Sequence, residues 1–274
     1  MKDDLTADLH IHTCYSDGSL TPEQVVDLAC EAGLGAVSVT DHDCVEGVRP
    51  AMSAAKAKGI EVIPGVEISC EISGQEIHLL GYFIDLDDDV LNAKLAVMKE
   101  NRLERMRGMI KLLNGIGIKV SEKDIAELSP VGIIGRMHIA YFLANNRYVR
   151  TVQDAFDKYL SSGKPCHVKY KRFTHDEAIE MVVSSGGVPV IAHPLSPNIE
   201  KFIPDLVKSG VRGIEAYHPK HNPKDTLKFI EIAESNGLIT TGGSDCHGGP
   251  VNTTIGKVRA TAGMVEAIRS LSGS

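Results

Sequence analysis

The chain has 274 residues, a length that suits one large α/β barrel or two ordinary domains. Hydrophobic residues make up 43% and charged residues 24%, proportions that allow a sizeable core and argue against disorder. The formal charge of −7 provides no basic field for long duplex nucleic acid, and no apolar run reaches membrane-spanning length.

The opening MKDDLTADLH is charged and lacks the apolar core of a signal peptide. Residues 7–12 are expected to form the first strand. TPEQVVDLACEAG follows as a helix, with Thr21 as cap, Pro22 in the first turn, Gln24 completing a capping box and Gly33 ending it. GAVSVT predicts a buried strand that ends at Asp41 and His42. Residues 45–58 predict a second helix. IEVIPGVEIS predicts a strand running to Glu67, with a local break at Pro64 and Gly65. QEIHLLGYFID is a further strand and carries His78.

From about Asp87 to Lys164 the pattern is helical throughout, with apolar residues at helical spacing, and predicts an inserted subdomain. Strand and helix then alternate again. VPVIAHP ends at His193, VRGIEAYH at Glu215 and His218, and LITTGGSDCH at Asp245 and His247, before a final helix. The βαβ order predicts a parallel sheet, and six or seven units suggest closure into a barrel. The barrel would comprise residues 1–86 and 165–274, with 87–164 as a helical cap over its C-terminal rim.

Polar residues cluster where the apolar runs end. His10 and His12 are two apart on one strand and point the same way, and Asp245 and His247 repeat that spacing. The C-terminal strand ends of a (β/α) barrel converge on one rim, where active sites sit. A set of His, Asp and Glu without paired thiolates selects Zn, Mn or Fe, without separating the three. Nine such residues are too many for one ion. Several ions sharing a carboxylate would use them, and such sites serve phosphoryl displacement. The six cysteines, Cys14, Cys30, Cys44, Cys70, Cys166 and Cys246, form no CxxC pair, so reduced thiols in a cytoplasmic protein are expected. Cys14 and Cys44 are favoured as small packing residues.

HIHTCYSDG, TDHD, PGVE, the strand His78, AHP, IEAYH and GGSDCH together resemble the PHP (polymerase and histidinol phosphatase) superfamily, from about residue 7 to 258. The resemblance implies a distorted (β/α)7 barrel with two to three divalent metal ions. It implies His10, His12, Glu67 and Asp245 at one metal, and Glu67, His78 and His193 at a second with Glu67 bridging. Asp17, His42 and His247 would hold a third. Many relatives have His where this chain has Asp17, which points to weaker binding there or to a harder metal such as magnesium.

The helical insertion resembles that of small stand-alone phosphoesterases. Their activities include removing the 3′-phosphate of nucleoside 3′,5′-bisphosphates and trimming short RNA from its 5′ end. IIGRMHIA resembles a GRPHIA-like motif, with Met137 in place of Pro, and implies that Arg136 contacts the substrate phosphate. His218 reads as a phosphate contact or leaving-group acid, or as a rim histidine bonded to Glu215. Asp41 reads as an orienting partner of a histidine ligand, or as a cap for the following helix. Lys169, with Lys171 and Arg172, could hold a second phosphate or an oligonucleotide backbone. Arg102, Arg105 and Arg107 read as a helix surface, and His138, His167, His175 and His221 as surface or structural residues.

The expected function is metal-dependent hydrolysis of a phosphate ester on a small nucleotide. Short single-stranded RNA and histidinol or sugar phosphates are the alternative substrates. An amidohydrolase-type barrel would usually add a lysine near the end of a middle strand, and no predicted barrel strand ends in one. A non-catalytic metal-binding module would be expected to lack ligand positions, and all nine are filled.

Overall fold

The computed structural model describes residues 6–129, 131–169, 171–195, 198–249 and 254–273. Its strands are β1 (Thr6–Ile11), β2 (Ala36–Val39), β3 (Glu61–Ile72), β4 (Gln75–Tyr82), β5 (Phe173–Thr174), β6 (Val188–Ile191), β7 (Gly213–Tyr217), β8 (Ile239–Gly242) and β9 (Ala260–Thr261). They form one sheet in the order β8-β7-β6-β4-β3-β2-β1-β9, with β5 pairing β3. The sheet curls into a nearly closed barrel. An Ile11–Cys246 bridge and the His12 N–H donating to the Cys246 carbonyl at 2.9 Å draw its two ends together.

The sheet is mixed, not wholly parallel as expected. β4 runs antiparallel to both β3 and β6, and β9 antiparallel to β1. The cause is local. Ser73 and Gly74 both hold positive φ, at 50° and 80°, the backbone of a primed two-residue hairpin turn. With no crossover helix, β4 must return alongside β3. β3 also runs unbroken through Pro64 and Gly65. A Cβ at position 65 would strike Ser38 Oγ, so the glycine permits close approach to β2 and does not mark a break.

Helices α1 (Pro22–Glu31) and α2 (Val48–Ala55) follow β1 and β2. The Thr21–Gln24 capping box forms as the sequence predicts. Between β4 and β5 lie α3 (Asp89–Gly115), α4 (Glu122–Ala126), α5 (Arg136–Asn145) and α6 (Val152–Ala155), the last continued by a π turn at Phe156–Leu160. This segment has its own buried cluster, including Met109, Leu113, Ile125, Ile139, Leu143 and Leu160. It touches the first barrel loop closely. The Ile133 N–H donates to the Tyr15 carbonyl at 2.8 Å, and a Cβ at Gly132 would strike the Cys14 carbonyl. Helices α7 (His175–Ser184), α8 (Ile203–Ser209), α9 (Pro223–Asn236) and α10 (Ala262–Leu271) complete the chain. The largest apolar cluster joins strand residues such as Ile11, Val39, Ile68 and Ile214 to helix residues such as Val25, Val182 and Phe229.

Candidate metal centre

Glu67 is the hub. It sits within β3, fully buried, and its two oxygens face different partners. Oε1 lies 2.8 Å from His78 Nδ1 and 2.8 Å from His193 Nε2. Oε2 lies 3.3 Å from His10 Nε2, 3.1 Å from His12 Nε2 and 3.1 Å from His42 Nδ1. Asp245 Oδ1 closes the same space, 3.6 Å from His10 Nε2 and 3.3 Å from His12 Nε2. On the far side of His12, Asp17 lies 3.2 Å from His247 Nε2 and 3.9 Å from His42 Nε2.

All nine residues singled out from the sequence therefore meet in one place. Three sets of donor atoms fall within 4.8 Å of one another: His12, Asp17, His42 and His247; His10, His12 and Glu67; and His42, Glu67 and His78. His12 and His42 each face two sets, so the grouping is more shared than the sequence implied. Asp245 and His247 do face the same pocket while Cys246 packs in the core, but not by strand alternation. β8 ends at Gly242, and Asp245 turns inward with a φ of 50°.

The electrostatics describe a site built for cations. Burial alone would raise the carboxyl of Glu67, yet His42, His78 and His10 hold it well below the usual range. Asp17 and Asp245 are partly buried and are likewise held low, against desolvation, mainly by His247 and His42 for Asp17 and by His10 for Asp245. Burial would depress His12 and His78. Hydrogen bonds to Asp245 and Glu67 push His12 up to about 10, and the charge of Glu67 does the same for His78.

Three buried atoms here, Glu67 Oε2, His42 Nδ1 and Asp17 Oδ1, lie near opposite charge but have no partner with hydrogen-bond geometry among the described residues. Buried polar atoms are rarely left so, and an ion among them would satisfy all three. The donor set is all nitrogen and oxygen, as divalent zinc, manganese or iron accepts.

Two carboxylates support the pocket without facing it directly. Glu215 accepts from His10 Nδ1 at 2.9 Å and from the His193 N–H at 2.7 Å. Asp41 accepts from the Thr13 N–H at 2.7 Å, from Thr13 Oγ1 at 2.6 Å and from Ser16 Oγ at 2.5 Å; Ser16 Oγ lies 3.5 Å from His12 Nδ1. Asp41 thus reaches a histidine through Ser16. It does not cap α2, whose start at Gly47 has no side-chain cap.

Arg136 opens α5 and donates through Nη2 to Glu76 at 3.1 and 3.2 Å. It lines a cavity of about 100 Å³ shared with Asp17, His42 and His78, and a second of about 250 Å³ shared with His78 and His193. His218 Nε2 lies 3.2 Å from Asp245 Oδ2, so its partner is Asp245 and not Glu215. Lys169 is exposed and lines neither cavity.

One expectation is corrected. Arg102 is no surface residue: it donates to Asp43 at 2.6 Å and to Ser69 Oγ at 2.8 Å. Arg105 is buried beside it, whereas Arg107 does lie on the surface with Glu100 and Glu122. His138 is buried, and its Nδ1 accepts the Gly135 N–H. Glu76, Arg102 and Lys220 were not foreseen as site residues. Glu76 had a detectable signal, since it lies two residues before His78 on the same strand face.

The sequence model of the PHP domain matches residues 8–165. The chain belongs to the PHP domain family. It is 35% identical to the 3′,5′-nucleoside bisphosphate phosphatase of Chromobacterium violaceum, over 88% of this chain and 86% of that one. It is 32% identical to the 5′-3′ exoribonuclease Rnm of Escherichia coli, over 88% and 84%. A solved structure from Bifidobacterium adolescentis, of a candidate metal-dependent phosphoesterase, superposes with a TM-score of 0.91 at 27% identity, covering 98% of this PHP chain and 96% of that one.

Proposed function

We propose that this PHP protein is a metal-dependent phosphoesterase that releases phosphate from a small nucleotide, with a nucleoside 3′,5′-bisphosphate as the preferred substrate. The observation that carries the reading is the position of Glu67, one oxygen toward each of two histidine sets, beside an arginine at the same mouth. His10, His12, Glu67 and Asp245 would hold one ion, Glu67, His78 and His193 a second, and Asp17, His42 and His247 a third. Zinc, manganese or iron suits this set, with magnesium a choice at the carboxylate-bearing third site. Such ions, when bound, supply positive charge to the attacking and departing oxygens of phosphate transfer.

The chain's own residues do the rest. Arg136 holds phosphate oxygens with its guanidinium fork. The His218 Nδ1 accepts the Lys220 N–H at 3.2 Å, so the ring's hydrogen sits on Nε2. Nε2–H faces Asp245 Oδ2 at 3.2 Å and would serve as the donor to a leaving oxygen bound beside Asp245. Glu215 and Asp41 keep His10 and His12 in place. The helical segment 87–164 caps the rim and delivers Arg136. The likeness to Rnm supports short RNA as the second reading, in which the exposed Lys169 would contact the oligonucleotide backbone. The free cysteines suit the cytoplasm, and no helix among the described residues is long and apolar enough to cross a membrane.

Metal analysis of the purified protein, joined to a phosphate-release screen, tests the reading. The screen compares nucleoside 3′,5′-bisphosphates, mononucleotides, 5′-phosphorylated short RNA and histidinol phosphate. Release from the bisphosphate is expected to dominate. No release from any of them by metal-loaded protein would sink the proposal.

A further inference from the structure

Glu76 is an acid placed where an anion is expected to bind. On β4 it shares a face with His78, and its Oε1 lies 3.8 Å from His78 Nε2. It does not join the metal-facing set. Instead its carboxylate accepts from Arg136 Nη2 at 3.1 and 3.2 Å and from Arg172 Nη2 at 2.8 Å. The two arginines come from chain segments 60 and 96 residues away, one on α5 and one just before β5. All three side chains are partly buried.

Glu76 engages Arg136 through Nη2 alone, so Nε and Nη1 of Arg136 have no protein acceptor among the described residues. Glu76, His78 and Arg136 together form the wall between the two cavities at the metal pocket. An unsupported arginine there would have to give up much rotamer freedom when phosphate arrives. A carboxylate that already holds the fork removes that cost before binding.

We infer that Glu76 is a positioning residue, which Arg172 anchors from one side and which holds Arg136 at the metal pocket so that Arg136 receives a substrate phosphate group. The inference rests on the reading of Arg136 as a phosphate contact. The rival role for the same geometry is opposite in sign: Glu76 would occupy the arginines and compete with phosphate.

The test is titration of inorganic phosphate into metal-loaded protein by calorimetry, for Glu76→Ala, Glu76→Gln, Arg136→Ala and the Glu76→Ala/Arg136→Ala double variant. Melting temperature and metal content are read alongside. Glu76→Ala is expected to weaken phosphate binding about tenfold, and the loss is expected to vanish in the Arg136→Ala background, as for coupled neighbours. Glu76→Gln, which keeps the shape and one acceptor, should recover part of the affinity, with metal content unchanged throughout. Unchanged or tighter binding by Glu76→Ala overturns the inference, as does a loss that persists without Arg136 or a fall in metal content. Should Glu76→Ala fail to fold, Glu76→Gln alone must weaken binding measurably, and wild-type affinity overturns the inference. Unchanged binding by Arg136→Ala would instead remove Arg136 from the phosphate site, and the proposed function would lose that residue first.

Discussion

Glu215 Oε1 lies 2.9 Å from His10 Nδ1. The other oxygen of the same carboxylate accepts the His193 N–H at 2.7 Å. One buried acid on β7 therefore aims two histidines that come from β1 and from the end of β6. A ring that donates from Nδ1 keeps its electron pair on Nε2, which for His10 faces Glu67 at 3.3 Å. Glu215→Gln is expected to lower metal affinity by about 10–100-fold, the usual effect of losing such an outer partner. Elemental analysis and metal titration measure it, with circular dichroism as the folding control. Wild-type affinity would show that the charge on Glu215 does not matter to His10.

Asp245 has His10, His12, His218, His247 and Lys220 around it. Asp245→Ala is expected to lose metal and turnover while staying folded. A metal-replete variant with full activity would remove Asp245 from the centre.

Some strand ends could be read from the sequence because the ligand closes a short apolar run, as His193 closes VPVIA and His42 follows GAVSVT, whereas Glu67 and His78 sit inside β3 and β4, and β3 runs past the expected end at Glu67. Local spacing carries that information. It carries none about Glu76 with Arg136 and Arg172, or Asp43 with Arg102, because those pairs join segments far apart in the chain. The parallel sheet was expected from the βαβ order; the Ser73–Gly74 turn reverses β4, and β9 also runs antiparallel to β1. His218 was ambiguous for a similar reason. Its three-residue offset from Glu215 did not reveal that the chain bends after Tyr217, where β7 ends, and turns the ring to Asp245.

Arg136→Ala is expected to cut kcat/KM on the best nucleotide by about 100-fold, the scale for removing a charged contact to a reacting phosphate. Steady-state kinetics on metal-loaded protein measure it. An unchanged kcat/KM would separate the arginine from the reaction.

The pH response has a definite sign. Without metal, His12 and His78 hold protons up to about 10, whereas an unfolded histidine titrates near ~6.5. A raised folded pKa stabilises the fold fully below the unfolded value, and that stabilisation is lost as pH rises through the folded one. The melting temperature of chelator-treated protein is therefore expected to fall between about pH 6.5 and pH 10. Metal must displace the same protons, so metal affinity should rise across that window. Calorimetry at several pH values, in buffers of different ionisation enthalpy, reads both the affinity and the protons released. A flat melting curve for the metal-free protein and no proton release would show that these imidazoles are not protonated there.

Gly243 tests how closely the segment after β8 must approach β1. A Cβ at this position would strike the His10 backbone N and the His10 Cβ, atoms that cannot swing aside as a long side chain could. His10 is itself fixed by Glu215 on its other side, so β1 has little room to give. The relief has to come from moving the segment 243–247, which carries Asp245 and His247. Gly243→Ala should therefore lower metal content at the ion held by His10 and Asp245, and turnover with it. Overpacking of this kind costs about 1–3 kcal/mol of stability. Thermal unfolding of the chelated protein isolates that cost, and metal titration isolates the displaced ligands. Full metal affinity together with lost stability would mean that the strand yields without moving Asp245, and would place the strain elsewhere in β1.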